Sequence, residues 1–193
     1  VKTTNRQQQK EQTREKLLQA AYRVFSRQGI MQSRMEDIAR EAGVSHGTVF
    51  VHFKSQEVLI EAVVDHYGKD IASRTHVLSQ EGGSLAQVLA AHLQGIGEFE
   101  NFYTRLLLES RLLPEGARDN FVGIQSVLSL HFCNVLARDK VAGDIPPYLL
   151  FNMWIGLVHH YLQNGDLFTS GDSVIERCGP EILNGFLMLL GVR

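Results

Sequence analysis

Two short helical patterns meet at Gly43 with almost nothing between them, and this constrains the chain more than any other feature. The first runs through Met35, Ile38, Ala39 and Ala42, and the second holds Thr48, Val49, Phe50 and Phe53. Ser33 and Glu36 form a capping-box pair that is expected to open the first helix. Gly43 stands where a left-handed residue ends a helix, and Ser45 is placed to cap the next. Small Ala39 lets the two helices approach, and Val49 packs the second back on the first. Residues 33–53 therefore read as a helix-turn-helix, a unit whose second helix lies in the major groove of DNA. An ordinary helical hairpin is the plain alternative at this stage.

The rest of the chain reads as helical too. Thr13 is expected to cap a first helix carrying Leu17, Leu18, Ala21, Val24 and Phe25, stopped by Gly29. Ser55 and Glu57 open a long fourth helix running toward Leu78. After a loop at Gly82, Gly83 and Ser84, helices are predicted near 85–97, 99–112, 117–139, 146–165 and 173–190. The fold class is all-α, with about nine helices. A three-helix head at 1–55 is joined by the long helix to a helical body at 56–193. Three of the four prolines fall in breaks between these stretches.

Charge divides along the same line. Residues 1–56 hold ten Lys/Arg against five Asp/Glu, and residues 57–193 hold nine against sixteen. A basic head on an acidic body suits a polyanion-binding module with its own regulatory domain. No run of eighteen apolar residues is present, so no membrane span is expected, and the polar, basic first sixteen residues show no secretory leader. Cys133 and Cys178 make no disulfide framework, and a reducing cytoplasm is the simplest compartment.

The stretch from Thr13 to Leu59 carries many ordered words: Thr13-Arg14-Glu15-Lys16, Ala20-Ala21, Phe25 with Gly29, Asp37-Ile38-Ala39, Ala42-Gly43-Val44-Ser45, Gly47-Thr48, Phe50, His52-Phe53-Lys54-Ser55, Glu57 and Leu59. It resembles the DNA-binding head of the TetR family of transcriptional regulators. The resemblance implies contacts to double-stranded DNA from Ser45, His46, Gly47, Thr48, Phe50, Val51 and His52. The second helix would offer Ser33 and Arg34 at its start to the DNA backbone, and Lys54 sits beside the entry to the fourth helix. Three positions depart from the family habit: His46 and Gln56 replace lysines and Phe50 replaces a tyrosine. Arg34, Lys54 and an N-terminal arm with Lys2, Arg6, Lys10 and Arg14 are expected to compensate, although a solvated, disordered tail is the favoured reading of the arm.

The resemblance further implies a homodimer through the apolar helices near 146–165 and 173–190, which suits a two-fold operator. It implies a small-molecule effector held by the middle helices. The expected lining is Phe99, Phe102, Tyr103, Phe121, Phe132 and Trp154, with Gln125, His131 and His159 to orient a ligand. Core packing is the plain alternative for each. No cofactor is called for. Metal binding is not expected, because His159 with His160, and His131 with Cys133, diverge on their helices. No nucleophile elbow, phosphate loop or dinucleotide fingerprint appears, so an enzyme is not expected. The expected role is a ligand-responsive regulator, most simply a repressor. The alternative is a DNA-binding factor controlled by a protein partner or without ligand sensing.

Overall fold

The computed structural model describes residues 5–78, 83–141 and 143–192. Lys2 of the expected arm and Gly82 of the expected loop lie outside the described residues. Ten helices follow in order: α1 Asn5–Gln28, α2 Met35–Ala42, α3 His46–His52, α4 Gln56–Leu78, α5 Leu85–Gly97, α6 Glu100–Glu109, α7 Glu115–Asp139, α8 Pro147–Gln163, α9 Gly165–Phe168 and α10 Val174–Leu189. No strand occurs among the described residues.

The first helix starts two turns earlier than its apolar pattern indicates. Residues 5–12 are polar but contain strong helix formers and no breaker. Thr13 is therefore inside α1, its hydroxyl donating to the Gln9 carbonyl at 2.9 Å rather than capping anything. The arm positions Arg6, Lys10 and Arg14 are consequently helical, not a disordered tail. From Leu17 to Phe25 the inner face of α1 is fully buried.

The N-cap of α2 is shifted by one residue from Ser33. Ser33 is buried and its hydroxyl donates to the Gly29 carbonyl, which closes the loop after α1. Arg34 is the N-cap, with extended φ −117° and ψ 157°. Its N–H donates to Asp37 Oδ2 at 3.0 Å, and this bond holds the Asp37 carboxyl below its ordinary value. Gly43 takes the left-handed conformation at φ 61°, and Ser45 Oγ accepts from the Thr48 N–H at 3.2 Å.

Helix α4 leaves the head and becomes the spine of the body, packed against α5 and α7. The approach is close. A Cβ added at Gly95 of α5 would meet Thr75 Oγ1 of α4 at 2.6 Å. Helix α7 has the length and hydropathy to cross a bilayer. Its Phe121, Ile124, Leu128, Phe132 and Val135 instead turn into the protein core. The predicted break at 164–171 contains the extra turn α9, where Phe168 stacks on Tyr161 with ring centroids 4.2 Å apart.

A second link joins body to head. Glu109, the last residue of α6, accepts from the Ile30 N–H at 3.1 Å and from the Met31 N–H at 2.7 Å. These donors have no helical partner, because the chain turns there. Glu109→Ala is expected to lower stability by about 1–3 kcal/mol, read from urea unfolding, since both amides lose an ionised acceptor.

Candidate nucleic-acid interface

Helix α3 presents one face outward. His46, Gly47, Phe50 and Val51 are exposed, with Ser45 beside them, while Val49 is fully buried against the head core. His46 and Phe50 pack edge to face, centroids 4.9 Å apart. Arg34 at the start of α2 and Lys54 just after α3 are exposed, and no residue of α3 is acidic. Thr48 is half-buried, its hydroxyl 2.9 Å from Ser45 Oγ, so the two hydroxyls form one polar unit at the start of the helix. The first turn of α3 thus offers free N–H groups and neutral or basic side chains to an approaching anion.

Two expected contact residues are placed differently. Ser33 lies inside, where its hydroxyl fixes the loop that positions Arg34. His52 is half-buried at the end of α3, and its Nδ1 is buried without a hydrogen-bond partner. Burial, then the nearby Lys10 and Arg14 of α1, lower its pKa and keep the ring neutral. Arg14 also lies over the Phe53 ring, 5.2 Å from its centroid. The extended start of α1 therefore adds basic side chains beside α3. Gln56, in place of a lysine, donates to the Ser33 carbonyl at 2.7 Å and ties α4 to the same loop.

Residues 17–63 match the family model described as bacterial regulatory proteins, tetR family. This segment of the chain is similar to the TetR family. It is 24% identical to the uncharacterized HTH-type transcriptional regulator YerO of Bacillus subtilis over 83% of its own length. That match spans 60% of the relative's length. A TetR transcriptional regulator from Legionella pneumophila shares the fold with a TM-score of 0.74 at 18% identity, covering 98% of this chain and 99% of that one. FadR from Bacillus subtilis, solved in complex with stearoyl-CoA, shares it with a TM-score of 0.71 at 19% identity, covering 93% and 99%.

The expected pocket residues separate into three groups. Phe99 and Phe102 turn toward the head and meet Tyr22, which stacks on Tyr67 at 4.1 Å. Tyr103 packs on Phe121 and reaches His159, with its hydroxyl 3.0 Å from Nε2. Phe132 and Trp154 meet on Phe186, a residue the sequence did not single out. Gln125 is half-buried on α7. A cleft of about 620 Å³ opens elsewhere, between α1, the α5–α6 junction and the start of α10, and none of the expected lining residues forms its walls.

His92 of α5 is a further residue missed in sequence. It is buried, and its Nδ1 accepts the Trp154 indole N–H at 3.1 Å. Burial, reinforced by the neighbouring His159, pushes its pKa down to about 3, and burial pushes His159 down to about 4. Both rings are neutral in the folded protein. The unfolded chain takes up the proton first, so stability is full above about pH 6.5 and falls as pH drops below it. His92 alone is expected to remove about 1.4 kcal/mol per pH unit, or about 2 kcal/mol between pH 6.5 and 5. Urea titrations across this range test it, and His92→Phe should flatten the slope by that amount.

Proposed function

We propose that this chain regulates transcription in the bacterial cytoplasm by binding a palindromic duplex operator as a homodimer. It represses, and a small apolar or amphipathic effector releases or alters it. The observation that carries this reading is the outward face of α3, capped by Ser45 and free of acid, with exposed Arg34 at the start of α2 and exposed Lys54 just after α3. In this reading residues 1–55 are the DNA-binding head and 56–193 the regulatory and dimerisation body. Its work is binding, not catalysis.

The dimer surface is read from α8 and α10. Tyr148, Leu149 and Met153 of α8 and Met188 and Leu189 of α10 are exposed, the last two at 78% and 79%. Exposed Gly156 and Gly185, with nothing within 4 Å of an added Cβ, leave room for a facing helix. A patch of this kind on a soluble domain marks an interaction surface. Two heads one helical turn apart then read two half-sites.

The effector class rests on the aromatic residues of α6, α7 and α8 and on the stearoyl-CoA found with the FadR neighbour. A ligand acts by favouring one arrangement of α4 and of the Glu109 link, because only unequal binding to two states shifts their balance. Control by a protein partner is the second reading. It is favoured by the mutual satisfaction of the buried polar atoms, Trp154 with His92 and Tyr103 with His159.

A salt titration tests the DNA-facing assignment. Arg34→Ala and Lys54→Ala are each expected to make the slope of log affinity against log salt shallower by about 0.9, through one lost phosphate contact. Fluorescence anisotropy on a selected duplex gives the slopes. Unchanged slopes in both variants would remove these residues from the interface.

A further inference from the structure

Eight histidines are scattered through the chain. Most are accounted for among the described residues. His66 faces Glu15 and Asp70, His46 packs on Phe50, His92 and His159 are engaged in the core, and His160 neighbours Asn164. His76 and His131 stand apart, because they face each other. His76 is exposed near the end of α4, and His131 is half-buried in α7. His76 Nδ1 lies 3.0 Å from His131 Nε2, with ring centroids 5.0 Å apart and planes at 44°.

A shared proton accounts for such a distance in the free protein. The same distance is the bite of two imidazoles on one metal ion. Metal–nitrogen bonds of about 2.0–2.1 Å at ordinary bond angles put two ligating nitrogens about 3 Å apart. We propose that His76 and His131 form a binding site for a divalent transition ion of the Zn2+, Ni2+ and Cu2+ class, clasping α4 to α7. Neutral imidazole is the preferred donor for these ions, whereas Mg2+ prefers oxygen. For both facing nitrogens to ligate, the shared proton moves to a remote ring nitrogen, His76 Nε2 or His131 Nδ1, and no net proton is released. Burial lowers the His131 pKa and, with His76 beside it, keeps the ring neutral.

No group of three or more His, Cys, Asp or Glu that could hold a metal occurs among the described residues. The protein therefore supplies two ligands, and water reaching exposed His76 completes the shell. Such a site is reversible, not structural. It joins the far end of the helix that leaves the DNA-facing head to the central helix of the body, so an occupied site stiffens that joint. The two residues are 55 apart in sequence and follow no ligand-spacing rule.

Isothermal titration of the full chain with NiCl2 in a non-coordinating buffer tests the site, with MgCl2 as the control ion. The expected result is one Ni2+ per chain, no Mg2+ binding, and a loss of at least about tenfold in Ni2+ affinity for His76→Ala and for His131→Ala. His66→Ala is expected to leave the affinity unchanged. Electron paramagnetic resonance of the Cu2+ form should show two coupled nitrogens in the parent chain and one in His76→Ala, an exposed substitution that spares the fold. Absence of Ni2+ binding, or binding that persists in both alanine variants, overturns the proposal, the latter placing the ion elsewhere on the surface.

Discussion

Replacing Gly47 by Glu is expected to cost about two orders of magnitude in duplex affinity, roughly 3 kcal/mol, without loss of fold. Gly47 is exposed in the first turn of α3, and an added Cβ meets only Ser45 Oγ at 3.9 Å. The new side chain therefore points to solvent. Glu is a better helix former than Gly by about 0.5–1 kcal/mol, and an acid in the first turn suits the helix dipole. Thermal stability should hold or rise slightly. A carboxylate brought against phosphates is repelled at short range, and the close backbone approach that Gly allows is lost. Fluorescence anisotropy on a selected duplex, beside calorimetry of the same sample, separates the two effects. Gly47→Ala should keep most of the affinity. If Gly47→Glu binds as well as the parent, the start of α3 does not face the groove.

The largest expected loss of stability is at Trp154. Its side chain is fully buried, packs edge to face on Phe186 at 5.2 Å, and donates to His92 Nδ1. Trp154→Ala removes the ring, leaves a cavity and strands a buried acceptor, at an expected cost of about 3–5 kcal/mol. Natural domains hold only about 5–15 kcal/mol in total, so this variant approaches unfolding. Trp154→Phe keeps most of the volume and loses the hydrogen bond, at about 1–3 kcal/mol. Urea unfolding of both variants apportions the effect between packing and the bond. Equal losses would show that the indole N–H carries the stabilisation and the ring volume little.

The head was readable in sequence because its signals are local. Gly43, Ser45 and Ser55 act within three or four residues of themselves, and the structure keeps each in its expected place. Even there, two overlapping capping patterns competed. Ser33 with Glu36 and Arg34 with Asp37 differ by one register. The second prevails because Ser33 is needed inside to satisfy the Gly29 carbonyl, a demand set by the loop and not by the helix. The early start of α1 was hidden because polar turns carry no apolar period. In the body, helix positions were readable from Gly and Pro punctuation, but pairings between helices were not. Trp154 and His92 are 62 residues apart, and nothing in either neighbourhood marks the other. Phe99 and Phe102 both meet Tyr22 of α1 and Tyr67 of α4, whereas Tyr103, one residue on from Phe102, is turned by helical rotation to Phe121 and His159.

The central claim is that α3 reads a specific duplex. The most direct measurement is selection of random double-stranded DNA by the purified chain at moderate salt, with sequencing of the retained pool and footprinting of its best member. The expected result is a palindrome with half-site centres about 10 base pairs, or a multiple of one turn, apart, protected on one face. A retained pool no different from the input, with no footprint above random competitor, would contradict the account.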